Sequence, residues 1–243
     1  VVGEINIGCG VCDMCRRGLP AHCRTRRVLG IQDYDGAWAE CFRLPVRNLH
    51  AVPDAMPDRT AVFAEPLAAA CQILEAGVIR PSDRVVLLGA GKLGMLCAQV
   101  IRLIGADLAV VVRRERQAAQ LEGWGIPAVD RTELPAHRAD VIVDCTGNVS
   151  GFADALDLVR PQGTIILKST YAGLPNADLT RVVVDEIRVV GSRCGPFGPA
   201  LALLEQGLVD AGPLIDGCYS LDEVAQAVEH ASRPGALKVL LQP

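Results

Sequence analysis

The sequence has no excess of positive charge: 24 Lys and Arg stand against 28 Asp and Glu, for a formal net charge of -4 and a pI near 5.6. Such a balance supplies no field to hold a phosphate backbone, and the cluster Arg24, Arg26 and Arg27 is too small to form a basic face. Nucleic acid is therefore excluded as a main partner. No run reaches the roughly 18 consecutive apolar residues of a membrane span. The first residues, Val1-Val2-Gly3-Glu4, lack a basic segment followed by an apolar stretch, so a secretory leader is not read there and a cytoplasmic home is expected. There is no internal repeat and no low-complexity tract. An initiating methionine is also missing. The chain opens inside VVGEINIG, which reads as the middle of a strand, and the expectation is that processing or cropping has removed something ahead of it.

What is present describes a globular chain. With 243 residues, 50% hydrophobic and 21% charged, it can bury one or two substantial cores, and general disorder is excluded. From Asp83 a loop-rich region containing Cys, Gly and Pro gives way to alternating β-rich runs and helical stretches, the pattern of an α/β parallel sheet. Strands are predicted at 84–89, 108–112, 140–146, 163–169 and 187–192, with helices at about 92–104, 115–123 and 150–159. A domain boundary is expected near residues 64–82, giving a first lobe over 1–75, an α/β lobe over 76–195 and a tail over 196–243. That tail reads helix, short strand, helix, strand, and continues past a completed sheet, so a return to the first lobe is expected.

Four of the ten cysteines fall within fifteen residues: Cys9, Cys12, Cys15 and Cys23, spaced C-x2-C-x2-C-x7-C. Four thiolates at this spacing can converge tetrahedrally on one ion and leave no position open for water or substrate, so a structural zinc is the expected occupant. A disulfide pair and an iron-sulfur cluster are the alternatives. His22, beside Cys23, reads as a bystander. The other six, Cys41, Cys71, Cys97, Cys145, Cys194 and Cys218, lie scattered in apolar segments. Small buried thiols in a reducing compartment are the simplest reading of them.

Gly89-Ala90-Gly91-Lys92-Leu93-Gly94 follows the apolar run RVVLL and opens a helical stretch. In that context a Gly-x-Gly-x-x-Gly turn is a dinucleotide-binding fingerprint: Gly89 for the turn, Gly91 for close approach of the pyrophosphate, Gly94 for packing of helix on strand, with the N–H groups of the following helix facing the anion. A tight turn without a ligand is the alternative. At the end of the second strand an NAD-selective site places Asp or Glu against the ribose 2'-hydroxyl. Here the chain reads Val112-Arg113-Arg114. Two guanidiniums and no carboxylate favour NADP(H) over NAD(H), unless both arginines are simply solvated.

These motifs, in this order and with GAWAE (36–40) and FAEPLAAA (63–70) between them, resemble the zinc-dependent medium-chain dehydrogenase/reductase family of alcohol, polyol and threonine dehydrogenases. The later segments VDCTGN, LKSTYAG, GSRCGPF and GALKVLL agree with it, so the resemblance covers essentially the whole chain. It implies a Rossmann doubly wound parallel sheet beside an incomplete GroES-like β-rich catalytic domain that the tail completes. It also implies that Thr146, Gly147, Ser169 and Thr170 stand near the nicotinamide half of the cofactor and that Lys238 contacts the pyrophosphate. Each has an ordinary alternative as a strand end, a loop start or a solvated lysine. Glu65 of Glu65-Pro66-Leu67 matches a carboxylate at the catalytic zinc, although a carboxylate at a helix start also suits the helix dipole.

The resemblance fails at one place. The family takes its main catalytic zinc ligands from segments upstream of the cysteine loop, no His-Glu pair occurs in this chain, and His22, His50, His137 and His230 lie outside ligand positions. The implied chemistry is hydride transfer between an alcohol or carbonyl and the nicotinamide, with zinc as Lewis acid on the substrate oxygen, and the catalytic zinc is expected in a longer form of the protein. A metal-independent quinone-reductase-like enzyme and a catalytically inactive cofactor-binding protein are the rival readings. A homodimer or homotetramer is implied by family analogy alone.

Overall fold

A computed structural model describes residues 1–170 and 177–243. They divide into two compact units, Val1–Glu65 with Phe197–Pro243, and Pro66–Pro196.

The first unit begins with β1 (Val2–Gly3) and β2 (Asn6–Ile7), continues through the short helix α1 (Asp13–Arg16), β3 (Arg27–Val28), β4 (Leu49–His50) and α2 (Asp58–Ala61), and reaches the start of α3 (Ala64–Glu75). β1 pairs with β4 and β2 with β3, both antiparallel. VVGEINIG is thus two strands where one was expected, and buried Asn48 gives the reason. Its Nδ2 donates to the carbonyls of Glu4 (3.1 Å) and Asn6 (2.7 Å), taking acceptors that one continuous ladder would use.

The second unit holds β5 (Arg84–Leu88), α4 (Lys92–Arg102), β6 (Asp107–Val111), α5 (Glu115–Gly123), β7 (Ala128–Val129), β8 (Ala139–Asp144), α6 (Gly151–Leu158), β9 (Val159–Leu167), α7 (Leu179–Val184) and β10 (Arg188–Gly191). The strands form one sheet in the order β10-β9-β8-β5-β6-β7, with every pairing parallel. From β5 the chain builds outward first on one side, through β6 and β7, and then on the other, through β8, β9 and β10. That reversal is the Rossmann topology, and it leaves a crevice between the carboxyl ends of β5 and β8. The sheet is central and buried: Val85, Leu87, Ile142, Val143, Ile165 and Ile166 are almost wholly inaccessible. β7, only two residues long, produced no recognisable apolar run. β9 begins four residues before its predicted start, because Val159 pairs with Ala139 ahead of a register shift that restores regular pairing at Thr164.

The chain then returns to the first unit as α8 (Phe197–Glu205), β11 (Ile215–Ser220), α9 (Val224–Ser232) and β12 (Lys238–Gln242), β11 and β12 being parallel. The His50 ring stacks on Phe197, with centroids 4.9 Å apart and planes 18° from parallel, which fastens α8 to β4. Among the described residues no helix is long and apolar enough to cross a membrane.

Candidate dinucleotide site and metal centre

The glycine turn leaves β5 at the sheet reversal. Gly89 has φ +95°, and a Cβ there would lie 2.9 Å from the Cys145 carbonyl oxygen, so the turn must carry glycine on both conformational and steric grounds. A Cβ on Gly94 would stand 1.9 Å from the Gly89 carbonyl oxygen. Gly91 caps α4 and has open space where its Cβ would be. Lys92 and Leu93 form the first two residues of α4, whose segment from Gly94 to Ile101 is buried. The turn therefore places the N-terminus of α4 beside uncluttered backbone, an arrangement suited to a pyrophosphate.

Arg113 and Arg114 follow β6 and are exposed, with Arg114 capping α5. Asp130 is the nearby acid of note. Its carboxyl is held below the ordinary value, chiefly by the hydroxyl and N–H of Thr132 and to a lesser degree by the charge of Arg113.

At the end of β8 the chain turns through Thr146 and Gly147, the latter with φ +68°. Gly147 N donates to Ser169 Oγ (2.9 Å), and Ser169 lies past the end of β9, followed by exposed Thr170. Tyr171, Ala172 and Gly173 of the LKSTYAG segment lie outside the described residues. Two buried polar side chains at these strand ends gave no signal as site residues in the sequence. Asp144 is inaccessible and accepts from Thr146 N, Thr146 Oγ1 and Ser169 Oγ. Lys168, 8% exposed, donates to the carbonyls of Ala69 and Arg193 and to Ser192 Oγ. Burial pushes the Lys168 amine below its ordinary pKa. One acid and one lysine at the ends of the apolar runs DVIVD and TIILK were the available clue.

In the first unit, the sulfurs of Cys9, Cys12, Cys15 and Cys23 all lie within 4.8 Å of one another. Four sulfurs placed tetrahedrally about 2.3 Å from one zinc would be about 3.8 Å apart, and Cys12 and Cys23 are separated by 3.8 Å. Backbone N–H groups point at the sulfurs: Cys9 N to Cys23 (3.2 Å), and Val11 N (3.4 Å) and Cys12 N (3.3 Å) to Cys9. The Cys9 N–H beside it holds the Cys23 thiol down to about 6, and the Arg24 N–H lowers Cys12, whereas burial pushes Cys15 up to about 11. The donor set suits a soft divalent ion bound by thiolates, so the residues fit a structural zinc.

Glu65 occupies the first turn of α3. Among the described residues, the four cysteines are the one group of three or more His, Cys, Asp or Glu whose ligand atoms gather. Lys238 opens β12, its ammonium 5.8 Å from the Phe63 ring centroid. Of the scattered cysteines, Cys71 and Cys97 are buried as expected. Cys41 and Cys218 are exposed, Cys41 in an irregular loop and Cys218 on β11 of a two-stranded sheet whose face is not covered there.

Two family models match this chain: an alcohol dehydrogenase GroES-like domain over residues 1–54 and a zinc-binding dehydrogenase over 93–206. The sorbitol dehydrogenase of Halalkalibacterium halodurans is 30% identical over 253 residues, covering 97% of this chain and 73% of that protein. The chain belongs to the zinc-dependent medium-chain dehydrogenase/reductase family. Solved structures agree. A Sinorhizobium meliloti 1021 protein described as a zinc-binding dehydrogenase, bound to NADP, superposes with a TM-score of 0.91 at 26% identity, covering all of this chain and 76% of that one. The alcohol dehydrogenase of Thermus sp. ATN1 gives 0.88 at 25% identity, covering 98% and 75%. As a medium-chain dehydrogenase the chain is an α/β protein with a Rossmann sheet and a GroES-like region, and an oxidoreductase that uses a nicotinamide cofactor.

Proposed function

We propose that this chain is an NADP(H)-preferring alcohol or polyol dehydrogenase whose cysteine loop is a structural zinc site. The observation that carries the reading is the glycine turn at the sheet reversal, with Arg113 and Arg114, and no carboxylate, at the end of the neighbouring strand. The first unit is assigned the GroES-like role, the Pro66–Pro196 unit the dinucleotide-binding role, and Phe197–Pro243 the completion of the first. Similarity to a sorbitol dehydrogenase supports a polyol as the substrate class.

A bound nicotinamide supplies the hydride acceptor or donor. The chain's own part is positioning. Gly89 makes the turn, its own N–H donating to the Val111 carbonyl (3.3 Å), while Gly91, Lys92, Leu93 and Gly94 bring the helix N-terminus and a close approach to the pyrophosphate, and Arg113 and Arg114 pair with a ribose 2'-phosphate. Thr146, Gly147, Ser169 and Thr170 form the floor under the nicotinamide, and Lys238 is assigned to the pyrophosphate. Cys9, Cys12, Cys15 and Cys23 hold zinc and stiffen a loop otherwise short of apolar core. Glu65 is the carboxylate assigned to a catalytic metal by Glu65-Pro66-Leu67 alone, and no step is derived through that metal. The cysteine loop disfavours a metal-independent reductase. Among the described residues the edge strand β10 pairs on one side only and exposes Val189, which supports pairing with a second copy, and ten cysteines without a disulfide suit the cytoplasm.

The test is coenzyme-dependent oxidation of a panel of sugar alcohols and simple alcohols by the full gene product. Reduction of NADP+ faster than NAD+ with at least one polyol is expected. No coenzyme-dependent oxidation of any alcohol, or a clear preference for NAD+, overturns the reading.

A further inference from the structure

Asp144 is the last residue of β8, at the sheet reversal, and none of its surface is accessible. A carboxylate so placed is costly unless donors surround it. Its Oδ1 takes three: Thr146 N at 2.9 Å, Thr146 Oγ1 at 2.7 Å and Ser169 Oγ at 3.0 Å. Its main-chain oxygen accepts from Lys168 N at 3.0 Å and Ser169 N at 3.1 Å, and it lies 3.2 Å from Ser169 Oγ, whose one hydrogen it shares with Oδ1. Its Oδ2 is buried and has no donor among the described residues. One residue therefore ties the end of β8 to the end of β9, and the tie extends outward, since Ser169 Oγ in turn accepts from Gly147 N.

Two consequences follow from donor counting. Thr146 and Ser169 each have one hydroxyl hydrogen, and each directs it at Asp144. Their hydroxyls are thus engaged in holding the two turns together. The packing also requires Gly151, the first residue of α6, because a Cβ there would lie 2.1 Å from Thr146 Oγ1 and 2.7 Å from Asp144 Oδ1. The start of α6 closes over the carboxylate, its positive end toward the charge.

We infer that Asp144 is a positioning residue for the nicotinamide half of the cofactor: its carboxylate sets the relative placement of the Thr146-Gly147 and Ser169-Thr170 turns, with Gly151 as the steric condition for that placement. The inference rests on the reading of these turns as the nicotinamide floor. It gives Asp144 no contact with the reacting atoms. The adenine half is assigned to the Gly89–Gly94 turn, which abuts the Cys145-Thr146 backbone only at Gly89, and to the end of β6; the hydrogen bonds of the Asp144 carboxylate among the described residues go to Thr146 and Ser169 and to neither of these.

That separation supplies the test. Dissociation constants for NADPH and for 2'-phospho-ADP-ribose, which lacks the nicotinamide, are measured on the full chain and on Asp144→Ala, Asp144→Asn, Gly151→Ala and Ser169→Ala. Asp144→Ala and Gly151→Ala are expected to weaken NADPH by about tenfold or more, the scale of a charge-assisted network lost, and to weaken 2'-phospho-ADP-ribose far less. Asp144→Asn keeps an acceptor oxygen and restores part of the NADPH affinity. Ser169→Ala, which removes one donor and leaves the buried acid, shows the same split on a smaller scale and serves if Asp144→Ala does not fold. Equal losses for the two ligands, or no loss for either, overturn the inference while leaving the cofactor reading intact. Failure of the unaltered chain to bind either ligand overturns the cofactor reading and this inference with it.

Discussion

The carbonyl oxygen of Gly89 lies where a side chain on Gly94 would have to be, 1.9 Å from an ideal Cβ position. The first and last glycines of the fingerprint are thus in contact, and the last is what allows α4 to start directly against β5. Gly94→Ala should displace the helix start, lowering stability by about 1–3 kcal/mol and weakening cofactor binding. Denaturant unfolding and a coenzyme titration check both.

Gly91 offers the contrasting case, because nothing stands near its Cβ position. Gly91→Ala should leave the unfolding midpoint nearly unchanged while reducing NADPH affinity about tenfold or more, since the added methyl occupies the approach of the pyrophosphate. A large stability loss, with affinity retained, would place the constraint in the fold and not in the ligand.

Zinc should be found at about one ion per chain, lost in Cys23→Ser. With the metal present at hundreds of times its dissociation constant, its removal should cost the first unit about 3–4 kcal/mol. NADPH affinity should hardly change, because the cysteine loop belongs to the first unit and the glycine turn to the second. Metal analysis and chemical denaturation of the two proteins decide it.

Asp140 makes a definite contribution to acid behaviour. Burial alone would raise its pKa, but the Arg84 N–H at 2.8 Å and the Arg160 guanidinium at 2.6 Å overcome that and hold it below 3.8. A carboxyl depressed in the folded state stabilises fully above the unfolded value and loses that contribution as pH falls through the folded value. Stability should therefore decline below about pH 4, and Asp140→Asn should flatten that part of the curve. The variant should be about 1–2 kcal/mol less stable at neutral pH.

The second unit was the more legible part of the chain. Its central strands β5 and β8 are continuous apolar runs because a parallel sheet is covered on both faces there, and Gly-x-Gly-x-x-Gly marked the position of the turn. The first unit was harder to read. Its first four strands are two residues long, and Asn48, more than forty positions away, decides where VVGEINIG breaks. The four zinc cysteines were plain because their spacing is local. Asp144 and Gly151 were not, because their significance is a contact between strand ends that the sequence separates. Cys41 and Cys218 show the converse, as residue type suggested burial and the loop and the short β11–β12 sheet leave them exposed.

Arg113→Asp should reverse coenzyme choice. Exchanging a guanidinium for a carboxylate after β6 removes a partner for the 2'-phosphate and supplies one for the 2'-hydroxyl, so NADPH should weaken by about tenfold or more while NADH binds as well or better. Parallel titrations of the two reduced coenzymes give the ratio.

The most direct test of the account is a titration of the unaltered full chain with NADPH and, in parallel, NADH, followed by the fluorescence of the reduced nicotinamide. The account expects saturable binding at about one site per chain, with NADPH held tighter by about tenfold or more. Absence of saturable binding by either coenzyme, or tighter binding of NADH, would contradict it.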